Sequence, residues 1–363
     1  MATITDYLTQ LQTDKQVLVD NLVAKGVEAT NEETFTTLVP KVESIETGGG
    51  DEELEASYIS AIGDNLGANV TKLPNGITSI GQYAFYYRAN LALTSLPNEI
   101  TNIGDYGFYH CNNLALTSLP DKLTNIGNYA FYYCTNLALT SLPENLTKIG
   151  LNVFNHTNLA LTSLPNKLIS VGDYAFYNCT NLALTSLPDK LTSVGDYTFY
   201  NCTNLALTSL PESLTRIGAN AFCECQGIKE LTANGVSLLL NGKCFAYCDQ
   251  LEKVLINNET LTINANAFFS CTALKEVVIN SATITKIISG AFKTCNLLEK
   301  FVISNVTTVP TLDNSDVFVN TPIANGTGYI YVPDALVDSF KSATNWSTYA
   351  DQIKGLSELE VNA

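Results

Sequence analysis

The sequence predicts an α/β repeat solenoid with coils of about 23 residues and a short parallel sheet, preceded by a small helical module. Three observations carry this. A phenylalanine recurs at Phe85, Phe108, Phe131, Phe154, Phe176, Phe199, Phe222, Phe245, Phe268, Phe292 and Phe318, at intervals of 22 to 26 residues with 23 the commonest. Each central coil repeats one apolar skeleton around it, as in Phe176, Cys179, Leu182, Leu184, Leu187, Pro188, Leu191 and Val194. The 363 residues are 46% hydrophobic and only 15% charged, ample material for a core. A coil of this length cannot bury its own apolar side. Successive coils must therefore stack and share one core, each adding one short strand to a parallel sheet. At ~4.8 Å between strands, ten or eleven coils make a rod of roughly 50 Å.

The chain divides by pattern into a helical module (1–45), an acidic Gly-rich linker (46–60), the solenoid (61–320) and a C-terminal cap (321–363). In the first, Leu8, Leu11, Leu18 and Leu22 fall at heptad spacing within a helix over 5–25, and Gly26 supplies a stop. Thr30-Asn31-Glu32-Glu33 reads as a capping box opening a second short helix that ends at Val39-Pro40. One seam of this length, with Lys15 on it, is a feeble coiled coil by itself. The helix therefore either packs on a partner, self-associates as a dimer or trimer, or folds onto its own chain. Gly48-Gly49-Gly50 inside an acidic run makes 46–60 flexible.

Within the solenoid, the unit Ile-Gly-x-x-Ala-Phe-x-x-Cys-x-x-Leu, as in Ile126-Gly127-Asn128-Tyr129-Ala130-Phe131-Tyr132-Tyr133-Cys134-Thr135-Asn136-Leu137, resembles the BspA-like leucine-rich repeat family of bacterial surface and secreted proteins. The resemblance covers about residues 62–320. It implies a leucine-rich repeat with no cofactor and no catalytic residues. Six middle coils depart from the family spacing: they read Leu-Ala-Leu-Thr-Ser-Leu-Pro and put Thr94, Thr117, Thr140, Thr162, Thr185 and Thr208 where an inward apolar residue is usual. Tyr329-Ile330-Tyr331-Val332-Pro333 and Asn345-Trp346 resemble the closing unit of such proteins, a last strand and a helix over about 334–343 with Trp346 over the final coil. Val23 to Ala29 and Thr37 to Val42 resemble the opening segment of tail-associated structural proteins in phages of Gram-positive bacteria.

Two sets of columns are candidates for function. Tyr83, Tyr106, Tyr129, Tyr174 and Tyr197 stand two residues before the repeat Phe; Tyr86, Tyr109, Tyr132, Tyr177 and Tyr200 stand one after; Tyr87 and Tyr133 stand two after. Tyrosine offers contact area at low entropy cost plus a polar tip, so the stripe reads either as a glycan- or protein-recognition surface or as a stacking ladder over the coil edge. Eight of the ten cysteines lie three residues after a repeat Phe, which reads as a ladder of buried thiols rather than staples or a metal stack. The Phe154 coil, one residue short, reads as having lost its member of this column.

Composition narrows the function further. There are 35 acidic and 19 basic residues, net −16, and residues 1–60 alone hold 12 acids and 3 bases. That balance argues against nucleic acid and anionic membranes as partners. Two histidines, His110 and His156, lie two coils apart, too far to share a metal, and no nucleophile constellation accompanies them. The start lacks a signal-peptide pattern and no stretch is apolar enough to insert into a membrane, so a soluble chain is expected. The expected function is therefore non-enzymatic: a phage tail or virion protein that recognises a host surface protein or polysaccharide through the solenoid and meets tail proteins through its N-terminal helices. The alternatives are a cell-surface or secreted adhesin of BspA type, and a plain spacer.

Overall fold

The computed structural model describes residues 76–359 together with Thr30, Lys72 and Leu73. The heptad leucines Leu8, Leu11, Leu18 and Leu22, the segment 1–45 that carries them and the linker 46–60 lie outside the described residues, Thr30 excepted. The chain falls into two compact units, Met1–Leu146 with Asn152–Asn158, and Thr147–Leu151 with Leu159–Ala363.

In the described part of the first unit, two-residue strands Ser79–Ile80, Asn102–Ile103 and Asn125–Ile126 pair in parallel, in register. Only the isoleucine of each points inward. The core beneath them is a stack of phenyl rings, Phe85, Phe108, Phe131 and Phe154, with centroids 5.1, 5.3 and 5.6 Å apart and planes within 7° of parallel. The glycine after Ile103 and after Ile126 is required by proximity. A Cβ on Gly127 would stand 2.4 Å from the Asp105 amide nitrogen. The neighbouring Asp105 carboxylate accepts the Asn128 N–H at 2.7 Å and ties the two coils together.

The second unit has the same coil and a second strand in its later members. One parallel sheet runs Lys148–Ile149, Ser170–Val171, Ser193–Val194, Arg216–Ile217, Ser237–Leu240, Thr260–Ile263, Thr283–Ile287, Thr311–Leu312. The other runs Ser209–Leu210, Glu230–Ala233, Lys253–Ile256, Glu276–Ile279, Lys300–Ile303, Tyr329–Val332, Ile353–Gly355. The expectation of one strand per coil thus holds from the Phe85 to the Phe176 coil, and the coils from Phe199 onward carry two.

The Leu-Ala-Leu-Thr-Ser-Leu segment explains the difference. Ser209 pairs with Thr232, which sets Leu207 against Glu230 and Thr208 against Leu231. Leu231 is buried and Glu230 exposed, whereas Leu207 is buried and Thr208 exposed. The middle coil has turned its leucine inward one position early, so Thr208 and Ser209 both face water and the period-2 alternation of a strand breaks. Thr94, Thr117, Thr140, Thr162 and Thr185 are exposed in the same way. The threonines do not occupy inward positions; the chain has slipped to keep them outside.

The cysteine column is a set of inter-coil hydrogen bonds. Cys111 and Cys134 Sγ donate to the Phe85 and Phe108 carbonyls at 2.9 and 3.0 Å, and Cys202, Cys225, Cys248, Cys271 and Cys295 repeat the contact at 3.1 to 3.2 Å. All ten cysteines are buried and none forms a disulfide. The Phe154 coil has not lost this position. Thr157 fills it, buried, with its hydroxyl turned back to the Phe154 carbonyl at 2.7 Å, and the missing residue falls in the loop after it. Thr321 does the same for Phe318.

At the C-terminal end, Tyr329–Val332 adds to Lys300–Ile303 and receives Ile353–Gly355 on its other edge. Helix Val337–Ser342 buries Phe340 against Trp346, which is fully buried and donates Nε1–H to the Pro310 carbonyl at 2.8 Å. The Tyr349 hydroxyl donates to Ser315 O at 2.5 Å over the edge of Phe318. Asn325-Gly326-Thr327-Gly328 is a turn, with Gly326 at φ +85°.

Candidate functional site

Every coil from Phe85 to Phe292 turns through two left-handed residues that flank the phenylalanine. Two positions before it stand Tyr83, Tyr106, Tyr129, Asn152, Tyr174, Tyr197, Asn220, Lys243 and Asn266, and two after it Tyr87, His110, Tyr133, His156, Asn178 and Asn201, all with φ between 54° and 59°. Between these turns alternate N–H groups donate forward to the next coil: Tyr83 to Asp105 O, Phe85 to Gly107 O, Tyr87 to Tyr109 O, at 3.0, 2.8 and 2.7 Å. The backbone that carries the aromatic side chains is thereby fixed from both sides.

In the first unit these side chains form three lanes. Tyr83, Tyr106 and Tyr129 stack at 4.9 and 4.8 Å; Tyr86, Tyr109 and Tyr132 stack at 4.9 and 4.9 Å. The third lane is Tyr87, His110, Tyr133, His156, at 4.8, 4.8 and 4.3 Å. The lanes also touch sideways. Tyr86 meets Tyr83 and Tyr87 edge-on at 5.3 and 4.7 Å, and Tyr109 meets Tyr106 and His110 at 5.5 and 4.7 Å. What the sequence offers as separate columns is one contiguous aromatic face that includes both histidines. Only the shared position two after the phenylalanine linked His110 and His156 to the tyrosines. Tyr83, Tyr86 and Tyr87 are the most exposed members, at 45, 36 and 58%.

The face ends at the Phe154 coil. There Asn152 and Asn155 replace the two inner tyrosines and bond to each other, Asn155 Nδ2 to Asn152 Oδ1, at 2.6 Å. In the second unit the set is smaller. Tyr174 stacks on Tyr197 at 4.8 Å and Tyr177 on Tyr200 at 4.9 Å, while the outer lane is Asn178 and Asn201, hydrogen-bonded at 2.9 Å. The Tyr200 hydroxyl donates to Glu224 Oε1.

Tyr86, Tyr106, Tyr109 and Tyr200 keep their protons at neutral pH. Burial, then neighbouring phenols, raises Tyr86, Tyr106 and Tyr109 above the ordinary value of 10, and the bond to Glu224 followed by burial raises Tyr200. Burial lowers His110 and His156 below 6.5, so the third lane is neutral at neutral pH. Burial pushes the Cys111 thiol up to about 12, which leaves it a weak donor and no nucleophile. Among the described residues no group of three His, Cys, Asp or Glu side chains could hold a metal ion, and no helix is long and apolar enough to cross a membrane. The chemistry available on this face is hydrogen bonding and ring contact.

A family model described as a BspA type leucine rich repeat region matches the chain in six copies, over residues 65–183, 148–238 and 192–323. No curated protein matches it in sequence. Among solved structures the chain is similar to a leucine-rich repeat protein from Bacteroides ovatus, at 21% identity over 78% of this chain and 83% of that one, with a TM-score of 0.48. It is also similar to a leucine rich cell surface protein from Faecalibacterium prausnitzii, at 21% over 64% and 77%, TM-score 0.39. A third is the pneumococcal vaccine antigen PcpA, at 16% over 77% and 76%, TM-score 0.42.

Proposed function

Since the chain belongs to the BspA-type leucine-rich repeat family, we propose that its coils serve as a non-enzymatic recognition module, presenting the tyrosine and histidine face to a protein or polysaccharide of a cell surface. The observation that carries this is the identity of the left-handed residues. A side chain with a Cβ costs roughly 1–2 kcal/mol in that conformation, and asparagine tolerates it best after glycine. Asparagine does stand there at Asn152, Asn220 and Asn266. Stacking returns about 0.5–1.5 kcal/mol per aromatic pair, so strain and stacking nearly cancel. Folding stability therefore does not select Tyr over Asn at Tyr83, Tyr106 and Tyr129, and a role for the outward edge of these exposed or half-buried rings does.

The carrier in this proposal is a phage tail or virion, in which the helices of residues 1–45 attach to tail proteins and the linker 46–60 lets the solenoid reach a host. What supports it is the resemblance of the N-terminal segment and the heptad leucines Leu8, Leu11, Leu18 and Leu22. A second reading, a BspA-type adhesin on a bacterial surface, is supported by the family itself.

The test is a pull-down of the labelled full chain on intact bacterial cells, alone and with excess unlabelled chain. Saturable binding that falls when Tyr109, Tyr132 and Tyr177 are together changed to Ser, in a protein that still folds, supports the recognition role. Binding that is absent in the folded wild-type protein, or unchanged in the triple variant, removes the face from it. Co-purification with tail particles, lost on changing Leu11 and Leu18 to Ser, separates the virion from the adhesin.

A further inference from the structure

The stacking decides which part of each ring a ligand can reach. Tyr106 lies between Tyr83 and Tyr129, Tyr109 between Tyr86 and Tyr132, and His110 between Tyr87 and Tyr133, with planes 3–17° from parallel. Both faces of these rings are covered by their neighbours. They present edges, and the polar tip of a tyrosine edge is its hydroxyl. A ligand that needs an aromatic face, such as a sugar laid flat on a ring or a cation, finds none inside the lanes.

What the lanes offer is two rows of phenol groups, repeating every 4.8–4.9 Å through the coils of Phe85, Phe108 and Phe131, with a third row of alternating phenol and imidazole beside them. Each phenol has one donor and two acceptor lone pairs, so a bond to a neighbouring side chain leaves capacity for a ligand. The elevated protonation range of Tyr106 and Tyr109 keeps that donor in place at neutral pH. No arginine or lysine lies in the three lanes, and the chain carries a net charge of −16, which disfavours a polyanion. A protein ligand would want a desolvated pocket for an anchoring side chain. Regular, uncharged hydroxyl rows instead repeat one contact at every rung, which fits a regular, uncharged, hydroxyl-rich chain.

We propose that the first unit binds a neutral, linear, β-1,4-linked polysaccharide that runs along the coil axis, its hydroxyl groups exchanging hydrogen bonds with the rows of tyrosine hydroxyls. This rests on the recognition reading above and names its ligand class. The advance per sugar of an extended β-1,4 chain is close to the advance per coil, so each rung meets one sugar, and because alternate sugars are turned over, a given hydroxyl recurs at every second rung. Because the two inner lanes stop at Asn152 and Asn155, the footprint is three coils, roughly 10 Å between the outermost rungs.

The experiment is calorimetric titration of the full chain with cello- and chito-oligosaccharides from disaccharide to hexasaccharide, alongside the Tyr109→Phe and Tyr132→Phe variants, singly and together. Phenylalanine keeps the stack and deletes only the hydroxyl. One series should bind with an affinity that rises to the trisaccharide or tetrasaccharide and then levels, and each hydroxyl lost should weaken it about fivefold. Binding that survives both Phe changes but not Tyr→Ser would assign it to ring contact and overturn the proposal. No binding by either series also overturns it; if the full chain still captures cells in a protease-sensitive way, the recognition reading stands with a protein ligand. Loss of cell capture as well would remove both.

Discussion

Two kinds of coil share this chain. The middle coils, Phe85 to Phe222, and the later coils, Phe245 to Phe292, have the same phenylalanine stack and thiol ladder but join to one another differently. Later coils use two four- or five-residue strands each, Asn241 and Asn264 where the middle coils have glycine, and alternating charges across coils. Asn241 Nδ2 reaches back to Ile217 O at 2.8 Å and Asn264 reaches Asn241 at 3.2 Å, while Lys253 and Lys300 both hold Glu276 at 2.7 Å. Middle coils have two-residue strands ahead of the phenylalanine and tight glycine contacts, and all but the Phe154 and Phe222 coils carry stacked tyrosines. The difference teaches that the core of such a coil does not dictate its surface. Once the phenylalanine and leucines are buried, the same backbone path can be joined by strand pairing and ion pairs or by rings, and the rings leave a surface that a partner can use.

The register of the middle coils gives the largest way to break this comparison. Leu207→Glu alone puts a carboxylate into the core and should cost about 4 kcal/mol, read as a fall in the urea midpoint. Adding Thr208→Leu restores the pattern of Glu230-Leu231, and the double variant should recover most of the loss by adopting the later coil's strand. If the double variant is no more stable than the single one, the two coil types are not interchangeable at this position. Glycine comes next. A Cβ on Gly218 would meet the Gly195 carbonyl carbon at 2.4 Å, so Gly218→Ala should cost about 3 kcal/mol, against about 1 kcal/mol for Asn241→Ala, which loses only hydrogen bonds.

Acid sharpens the comparison with the smallest effect. Burial depresses His110 and His156 below their ordinary 6.5, so the stability tied to their neutral form is complete above 6.5 and is lost as pH falls through that value toward the folded one. For Glu276, burial pushes the carboxyl up, but the bonds and charges of Lys253 and Lys300 outweigh it and hold it below 4.5; that contribution persists to lower pH and is lost only as pH falls through the folded value. A urea midpoint followed from pH ~7 to ~5 should decline in the wild-type chain and less in His110→Asn with His156→Asn. Glu276→Gln should flatten the curve only in the carboxylate range. An identical decline in the double His variant would show that the third lane does not sense acid.

The coil length, the inward leucines and the thiol column were legible because each recurs at a fixed offset from the phenylalanine. The second strand of the later coils is legible too, since Thr260-Leu261-Thr262-Ile263 alternates with period 2 and Val277-Val278-Ile279 is a β-branched run, two strand signals within a coil to which a one-strand pattern assigns one. Harder was the slip at Thr208: alternation predicts which face a residue shares, and nothing local says that Leu207 has taken the inward place instead. The left-handed turns were written in Asn152, Asn220 and Asn266, which stand where the tyrosines do. That clue passes unnoticed when the tyrosines are read for their rings. Stacking itself could be anticipated from 23-residue spacing, whereas the fusion of three columns into one face depends on two turns per coil that no pattern of polarity records.

The thiol ladder has a consequence for how the molecule is made. Folded, all ten sulfurs are buried, seven of them against a carbonyl of the coil before, out of reach of oxidants and alkylating agents. Unfolded, eight of the ten recur three residues after a phenylalanine, with little to distinguish one partner from another. Oxidation of the unfolded chain would therefore yield a mixture of crosslinks, few of them compatible with stacking. A chain whose coils close before its thiols are oxidised keeps them reduced.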